Sequence, residues 1–324
     1  MGFNAHFYNN ITLPYKIVIK IYELGKIVMK RELMGLIVKR EDGSEIVNYD
    51  NESFPSYVYD GWIKPKVTWE RVPHFHEDVE IVSVKSGRMA YSVNGTTLLL
   101  TEGDTIFVNA NQIHYSMSVD DETATYVIFI AHPSILKSSV AVDMQAIMPI
   151  ISNPNLSYIR FRDYNEYTEK IYDIMMTLPD IRRDAFAITK SFFEIWEIIM
   201  KQSKSYGMLE NEFDPDVHMQ SFKKMMFFIQ KEYQNQITLD MIAASGGVSK
   251  SMCNKLFKKY VDESPVNYLL EFRIKKVAEY LRTTSCSLTD IAESCGFNGA
   301  SYMSEMFKKS LGKSPLKYRK NWEA

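Results

Sequence analysis

The sequence predicts an α+β multidomain chain, with an antiparallel β-barrel in residues 1–160, a pair of helices in 161–215 and an all-α domain over 216–324. Three observations lead there. Short apolar runs separated by turns fill Val67 to Ile130, where Val, Ile, Thr and Tyr are frequent. Between Asp163 and Ser203 apolar residues recur at intervals of three and four. The last hundred or so residues match themselves at an offset of 49 to 50.

With 324 residues, 46% of them hydrophobic and 24% charged, the chain can bury more than one core. No run of about 18 apolar residues is present to span a bilayer, and the N-terminus lacks the apolar core of a secretory signal, so a cytoplasmic protein without a membrane partner is expected. Cys253, Cys286 and Cys295 are an odd set of three, which fits a reducing compartment and reads as small core residues. The net charge of −2 conceals a division near Asp214, inside the polar stretch Ser203–Pro215. Residues 216–324 carry net +6 and residues 1–215 carry net −8, so the C-terminal part is the one suited to a polyanion.

At the start of the chain, Ile11–Lys39 alternates apolar and basic residues without a sustained period. The strand-like runs that follow are VTWERV, VEIVSV, MAYSVNG, TTLLL, GDTIFV and TATYVIFI, with turns at Ser86–Gly87, Asn94–Gly95 and Glu102–Gly103. Such a series suits a jelly roll. It contains His74, His76, Glu80 and Gly87 in the order HxH, three residues, E, six residues, G, and then Gly103–Asp104, the turn Asn109–Asn111 and His114. These spacings resemble both motifs of the cupin superfamily, although Asn109 and Asn111 stand where Pro and Gly are usual. The resemblance implies that a divalent metal, if held, would take His74, His76, Glu80 and His114. Alternation along a strand points His74 and His76 to one side, and neighbouring strands can add the carboxylate and third imidazole. The same four side chains equally suit the wall of an effector pocket, with Trp69 and Tyr91 as aromatic walls or as plain core residues. No cofactor and no catalytic residue are expected.

The helical pair follows. Tyr164, Tyr167, Ile171, Ile174, Met175 and Leu178 form one stripe that breaks near Pro179–Asp180, and Phe192, Ile195, Trp196 and Ile199 form another. Such helices can cover the barrel or make a two-fold contact.

In the tail, Leu239, Ile242, Ala243 and Gly247 align with Leu288, Ile291, Ala292 and Gly296. After one inserted residue, Phe257, Lys258, Lys259, Ser264, Pro265 and Tyr268 align with Phe307, Lys308, Lys309, Ser314, Pro315 and Tyr318. Each copy reads as two short helices around a glycine turn, a helix-turn-helix. Thr238 and Ser249 are caps in the first copy; Ser287 with Asp290 has capping-box spacing in the second. Between them Ser264–Pro265 opens a long helix whose apolar residues are Leu269, Leu270, Ile274, Val277, Ala278 and Leu281. A stiff connector would hold two reading helices for successive major-groove segments, roughly 34 Å apart. Cys253 and Met303 fall on the inward sides of those helices.

The segment GFNGASYMSEMFKKSLGKSPLKYRK, Gly296–Lys320, closely resembles the signature of the AraC/XylS family of transcription regulators, and the paired repeat extends the likeness over about residues 220–322. The resemblance implies seven helices, the third and sixth lying in the major groove of double-stranded DNA. It assigns Lys250, Ser251, Asn254, Lys255 and Lys258 to the first reading helix and Ala300, Ser301, Ser304, Glu305 and Lys308 to the second. Lysine can donate to guanine and asparagine can pair with adenine, whereas Ala300 offers a methyl and Glu305 only accepts, so the first helix should dominate readout. Glu305 departs from the basic residue frequent in the family, and Met303 from an aromatic. The resemblance further implies a homodimer, RNA polymerase as a partner, a small-molecule effector such as a sugar, and an arm at Ser53–Gly61 leading into the barrel.

The function expected is a DNA-binding regulator modulated by an effector, and not an enzyme. Two alternatives stand beside it: a metal-dependent cupin enzyme, dioxygenase or isomerase, fused to a nucleic-acid-binding domain, and a structural nucleoid protein. The paired lysines could also be no more than solvated faces on a protein-binding repeat.

Overall fold

A computed structural model describes residues 40, 42–51, 53–66, 72–163, 165–206 and 218–320. They form two compact units, one built mainly on residues 47–206 and the other mainly on 218–320 together with residues 40 and 42–46.

The first unit contains the strands β1 (Ser56–Ile63), β2 (Val79–Ser86), β3 (Arg88–Val93), β4 (Thr96–Thr101), β5 (Thr105–Val108), β6 (His114–Ser118), β7 (Ala124–Ala131) and β8 (Tyr158–Phe161). All pair antiparallel, in one sheet of order β1-β7-β2-β5-β8 and another of order β4-β3-β6. The turn between β3 and β4 is Asn94–Gly95, with φ of 49° and 86°, the left-handed pair that a two-residue hairpin requires. Ile63, Val82, Val84, Met89, Tyr91, Leu100, Ile106 and Tyr126 fill the space between the two sheets.

Helices α1 (Glu166–Ile181) and α2 (Ala185–Tyr206) cover the other face of the five-stranded sheet. Phe192 stands edge-on to Phe129 at 5.3 Å, and Trp196 edge-on to Phe107 at 6.2 Å. Both faces of β2, β5 and β7 are therefore buried: Val82 and Val84 point between the sheets, Val79 and Ile81 toward the helices. Burial on both sides explains why VEIVSV and TATYVIFI read as nearly continuous apolar runs.

Several details depart from the sequence reading. Strand β1 lies in the stretch likened to an arm, and pairs with β7 along its whole length. The run VTWERV falls mostly on residues 67–71, outside the described residues. Strands β6 and β8 were not expected: β6 mixes buried and half-buried residues, and β8 has only four. The break expected near Pro179–Asp180 is present: Pro179 sits in the last turn of α1, which ends two residues later at Ile181. The break comes after it, where Asp184 Oδ1 accepts from Phe186 N and Ala187 N and starts α2. Of the segment 161–215, the helices α1 and α2 group with the barrel unit, their apolar stripes packed against the sheet. Residues 42–46 group with the C-terminal unit instead of the barrel: Gly43, at φ +86°, lies so close to Phe227 that a Cβ there would be 2.8 Å from the phenylalanine Cβ.

The second unit contains α3 (Met219–Glu232), α4 (Leu239–Ser245), α5 (Lys250–Val261), α6 (Pro265–Thr283), α7 (Leu288–Ser294), α8 (Ala300–Leu311) and α9 (Pro315–Lys320). Its caps are those the sequence announces. Thr238 Oγ1 accepts from Met241 N, Ser249 Oγ from Met252 N and Ser264 Oγ from Asn267 N, and Ser287 with Asp290 completes a capping box. The repeat is also a repeat in space. Val248 N donates to Ala243 O at 3.1 Å, as Phe297 N does to Ala292 O at 2.9 Å. The edge-on pair Phe257–Tyr268 at 5.4 Å recurs as Phe307–Tyr318 at 5.3 Å. Cys253 and Cys295 are core residues, their thiols pushed up by burial to about 11 and about 12. Cys286 is exposed, contrary to expectation, because it lies in the short link ahead of the Ser287 cap.

Candidate functional site

The C-terminal unit presents two helices built alike. On α5, Cys253, Leu256, Phe257 and Tyr260 are buried, which turns Lys250, Ser251, Asn254, Lys255 and Lys258 to solvent. On α8, Met303, Phe307 and Leu311 are buried; Ser301, Glu305 and Lys308 are exposed, with Ala300 and Ser304 half-buried. Met303 packs as its position predicted. The side chains of α5 are not idle: Lys250 Nζ lies 2.8 Å from Asp240 Oδ1, and Asn254 Nδ2 donates to Lys250 O at 3.0 Å. Both partners are exposed, so the bonds compete with water and can be exchanged at a cost below about 1 kcal/mol. The sequence reading missed Asp240 and Tyr302. The tyrosine is 52% exposed on α8 with its ring 6.1 Å from that of Phe297. An exposed aromatic beside the predicted positions was the signal available for it.

In the barrel unit the motif histidines meet. His74 and His114 form a two-way backbone bridge, with His74 N donating to His114 O at 3.1 Å and His114 N to His74 O at 2.9 Å. Their rings lie 4.3 Å apart and that of His76 lies 4.9 Å from His114. Glu80 reaches them from β2, with Oε2 3.3 Å from His114 Nε2 and 3.5 Å from His76 Nε2. One potential ligand atom from each of the four residues lies within 4.8 Å of the others. Tyr91 donates its hydroxyl to Glu80 Oε1 and stacks on His114 at 6.2 Å. Tyr91 thus joins the cluster, while Trp69 falls outside the described residues.

The tautomers follow from the partners. Nδ1 of His74 faces Val72 O at 2.8 Å, that of His76 faces Asp78 O at 3.1 Å, and that of His114 faces Gln112 O at 2.9 Å. A carbonyl can only accept, so each Nδ1 carries a hydrogen; a ring that is otherwise neutral offers its Nε2 lone pair, and one that donates to Glu80 through Nε2 is protonated there as well and charged. Burial, reinforced by the His114 charge, holds His74 well below the usual imidazole range and keeps it neutral. Burial would raise Glu80, but the charge of His114 and hydrogen bonds from His114 and His76 keep its carboxyl well below the usual range. Burial, then the Glu80 charge, pushes the Tyr91 hydroxyl up, so it remains a donor. A carboxylate against imidazole lone pairs requires a positive charge between them, either an added proton or a cation. Three Nε2 atoms oriented by backbone acceptors and one carboxylate fit a divalent ion of the zinc or iron kind. The three carbonyl partners, each two residues from its histidine, were not foreseen.

The chain matches the family model of a helix-turn-helix domain over residues 242–321 and that of a cupin domain over residues 64–130. It is similar to the HTH-type transcriptional regulator YdeC of Bacillus subtilis, at 22% identity, over 85% of this chain and 95% of that protein. It is likewise similar to the HTH-type transcriptional activator RhaS of an Enterobacter species, at 22% identity, over 84% of this chain and 96% of the other. Among solved structures, fatty-acid-bound ToxT of Vibrio cholerae aligns with a TM-score of 0.43 and 14% identity, covering 84% of this chain and 97% of that one. Among the described residues, seven C-terminal helices carry a duplicated helix-turn-helix, so the chain combines a helix-turn-helix domain with a cupin domain and is similar over most of its length to HTH-type transcriptional regulators.

Proposed function

We propose that the chain is a sequence-specific DNA-binding transcription regulator whose DNA binding or activation is modulated by a small molecule held in the barrel unit. One observation carries the reading: two helix-turn-helix units of equivalent geometry pack equivalent aromatic pairs and turn a mainly basic and polar face outward on α5, the third helix of its unit. Lys250, Ser251, Asn254 and Lys255 would read bases, Lys258 and Lys308 would meet phosphates, and Ala300, Ser301, Ser304 and Glu305 would make the lesser contacts of α8. A mobility-shift assay with upstream genomic fragments should give a salt-sensitive complex. Replacing Lys250, Asn254 and Lys255 together with Ala should abolish sequence preference; if preference survives, α5 is not the reading helix.

His74, His76, Glu80, His114 and Tyr91 form the polar part of the effector site in this reading. A thermal-shift screen of metabolites, sugars included, tests it, because a ligand of the folded state raises apparent stability. The regulator acts in the cytoplasm as a homodimer, with RNA polymerase as its further partner. No helix among the described residues is long and apolar enough to cross a membrane. Exposed apolar side chains on the barrel unit, Phe186 at 82% and Met144 at 64%, support a contact between copies.

A second reading of the barrel site rests on the three Nδ1 bonds to carbonyls, which aim lone pairs and a carboxylate at one spot. In it, His74, His76, Glu80 and His114 hold a divalent cation that supplies the missing positive charge. Elemental analysis of untagged protein decides between the two. The enzyme alternative further requires turnover that disappears in His76→Ala, and relatives that are transcriptional regulators favour the regulator.

A further inference from the structure

The two glycines that turn the helix-turn-helix units are equivalent in the repeat but not in their surroundings. Gly247 and Gly296 have φ of 66° and 75°. A Cβ on Gly247 would meet nothing within 4 Å, whereas one on Gly296 would collide with Tyr233 O and lie 2.8 Å from Arg273 Nη2. The backbone at Tyr233 follows α3 and leads into the first helix-turn-helix, so the turn of the second unit is seated on the entrance to the first.

Three further hydrogen bonds close the same joint. Arg273, on the connecting helix α6, donates Nε to Tyr233 O and Nη2 to Asn235 O, each at 2.8 Å. Gln236 Nε2 donates to Asn298 Oδ1 at 2.9 Å, linking the two units directly. The connecting helix also grips each half: Gln230 Nε2 donates to Tyr268 Oη at 2.6 Å, and Ser310 Oγ to Glu271 Oε2 at 2.9 Å. A helix joined to two bodies still lets them rock about it, and a third link between the bodies removes that freedom.

We propose that Arg273, Gly296 and Asn298 are positioning residues that fix α8 relative to α5, and so set the separation between the two DNA elements that the domain accepts. The assignment rests on α5 and α8 being the reading helices. None of the three residues is needed to touch a base. One inserted base pair rotates the second element by about 34° around the duplex, so a braced pair of helices rejects it and a loosened pair tolerates it.

The test uses the full chain. Random-site selection gives the two-element site, and binding is then measured on that duplex, on duplexes with one base pair added or removed between the elements, and on the first element alone. Arg273→Met, Asn298→Ala and Gly296→Ala should each lose about tenfold on the selected spacing. The first element alone should bind as in the unsubstituted protein, and the preference for the selected spacing should shrink. Gly247→Ala suffers the same left-handed strain without the clash and should keep that preference. Arg273→Met and Asn298→Ala carry the test if Gly296→Ala does not fold, with folding checked by thermal unfolding. Folded Arg273→Met and Asn298→Ala that discriminate spacing as well as the unsubstituted protein would overturn the proposal. So would an unsubstituted protein that selects one element with no spacing preference, which leaves the DNA reading intact. Selection of no sequence at all would overturn both.

Discussion

Asp240 and Lys250 hold each other at 2.8 Å across the first helix-turn-helix, the acid on α4 and the base at the start of α5. The lysine must leave this partner, or share it, to reach DNA. Asp240→Asn should therefore bind duplex DNA several-fold more tightly at low salt and show a steeper salt dependence. Fluorescence anisotropy over a range of salt concentrations reads both. Weaker binding would instead mean that the carboxylate orients the lysine toward its base.

Lys258 and Lys308 occupy the same place in the two repeats and are exposed on both helices. As phosphate contacts, each changed to Ala should weaken binding about equally for all sequences and reduce the logarithmic salt slope by about 1. Base-reading residues behave differently, since the loss of Asn254 should fall on one base position and cost about 1–3 kcal/mol there. Binding to a panel of single-substitution duplexes separates the two behaviours.

Tyr91 donates to Glu80 deep in the barrel, where both are buried. Tyr91→Phe leaves Glu80 Oε1 without that donor and should lower the stability of the barrel unit by about 1–3 kcal/mol. Denaturant unfolding followed by tryptophan fluorescence measures it, because Trp196 packs on Phe107 behind the five-stranded sheet that carries Glu80. An unchanged midpoint would show that the hydroxyl is replaceable by water.

Lys223 on α3 is buried, and burial lowers its ammonium from 10.5 to about 8, with the charge of Asp42 opposing the shift. Below about 8 both folded and unfolded chains are protonated there, and the folded state bears the full cost of the buried charge. Between about 8 and 10.5 the unfolded chain binds more protons, so stability rises with pH in that window. The contribution reaches at most about 1.4 kcal/mol per pH unit. Amide exchange in α3 from pH 7.5 to 10, compared with Lys223→Met, should show the slope flattened in the variant.

Much of this molecule can be read from its chain because its strongest signals are local. Ser287 with Asp290 caps α7 whatever the rest does, Asn94–Gly95 can hardly be other than a hairpin turn, and Pro265 opens α6. The repeat doubled each such signal, which is why α5 and α8 and the residues they turn to solvent were legible. What stayed hidden depends on distant partners. Strand β8 exists because β5 offers an edge, and Gly43 sides with Phe227 through a contact 184 positions away in the chain. In the candidate sites the histidines and Glu80 were legible from spacing, but the Nδ1 acceptors were not, since a backbone carbonyl leaves no mark in a sequence. Gly296 was legible as a turn but not as a seat for Tyr233, because a left-handed φ and a close approach call for the same residue.

The partition formed by β2 gives the barrel a mechanical property. Glu80 points to the histidines and its neighbour Ile81 is wedged among the side chains beneath α1 and α2. Adjacent residues of one strand thus tie the buried polar cluster to the layer that α1 and α2 cover, so neither side of the partition can be repacked without moving backbone that the other side shares.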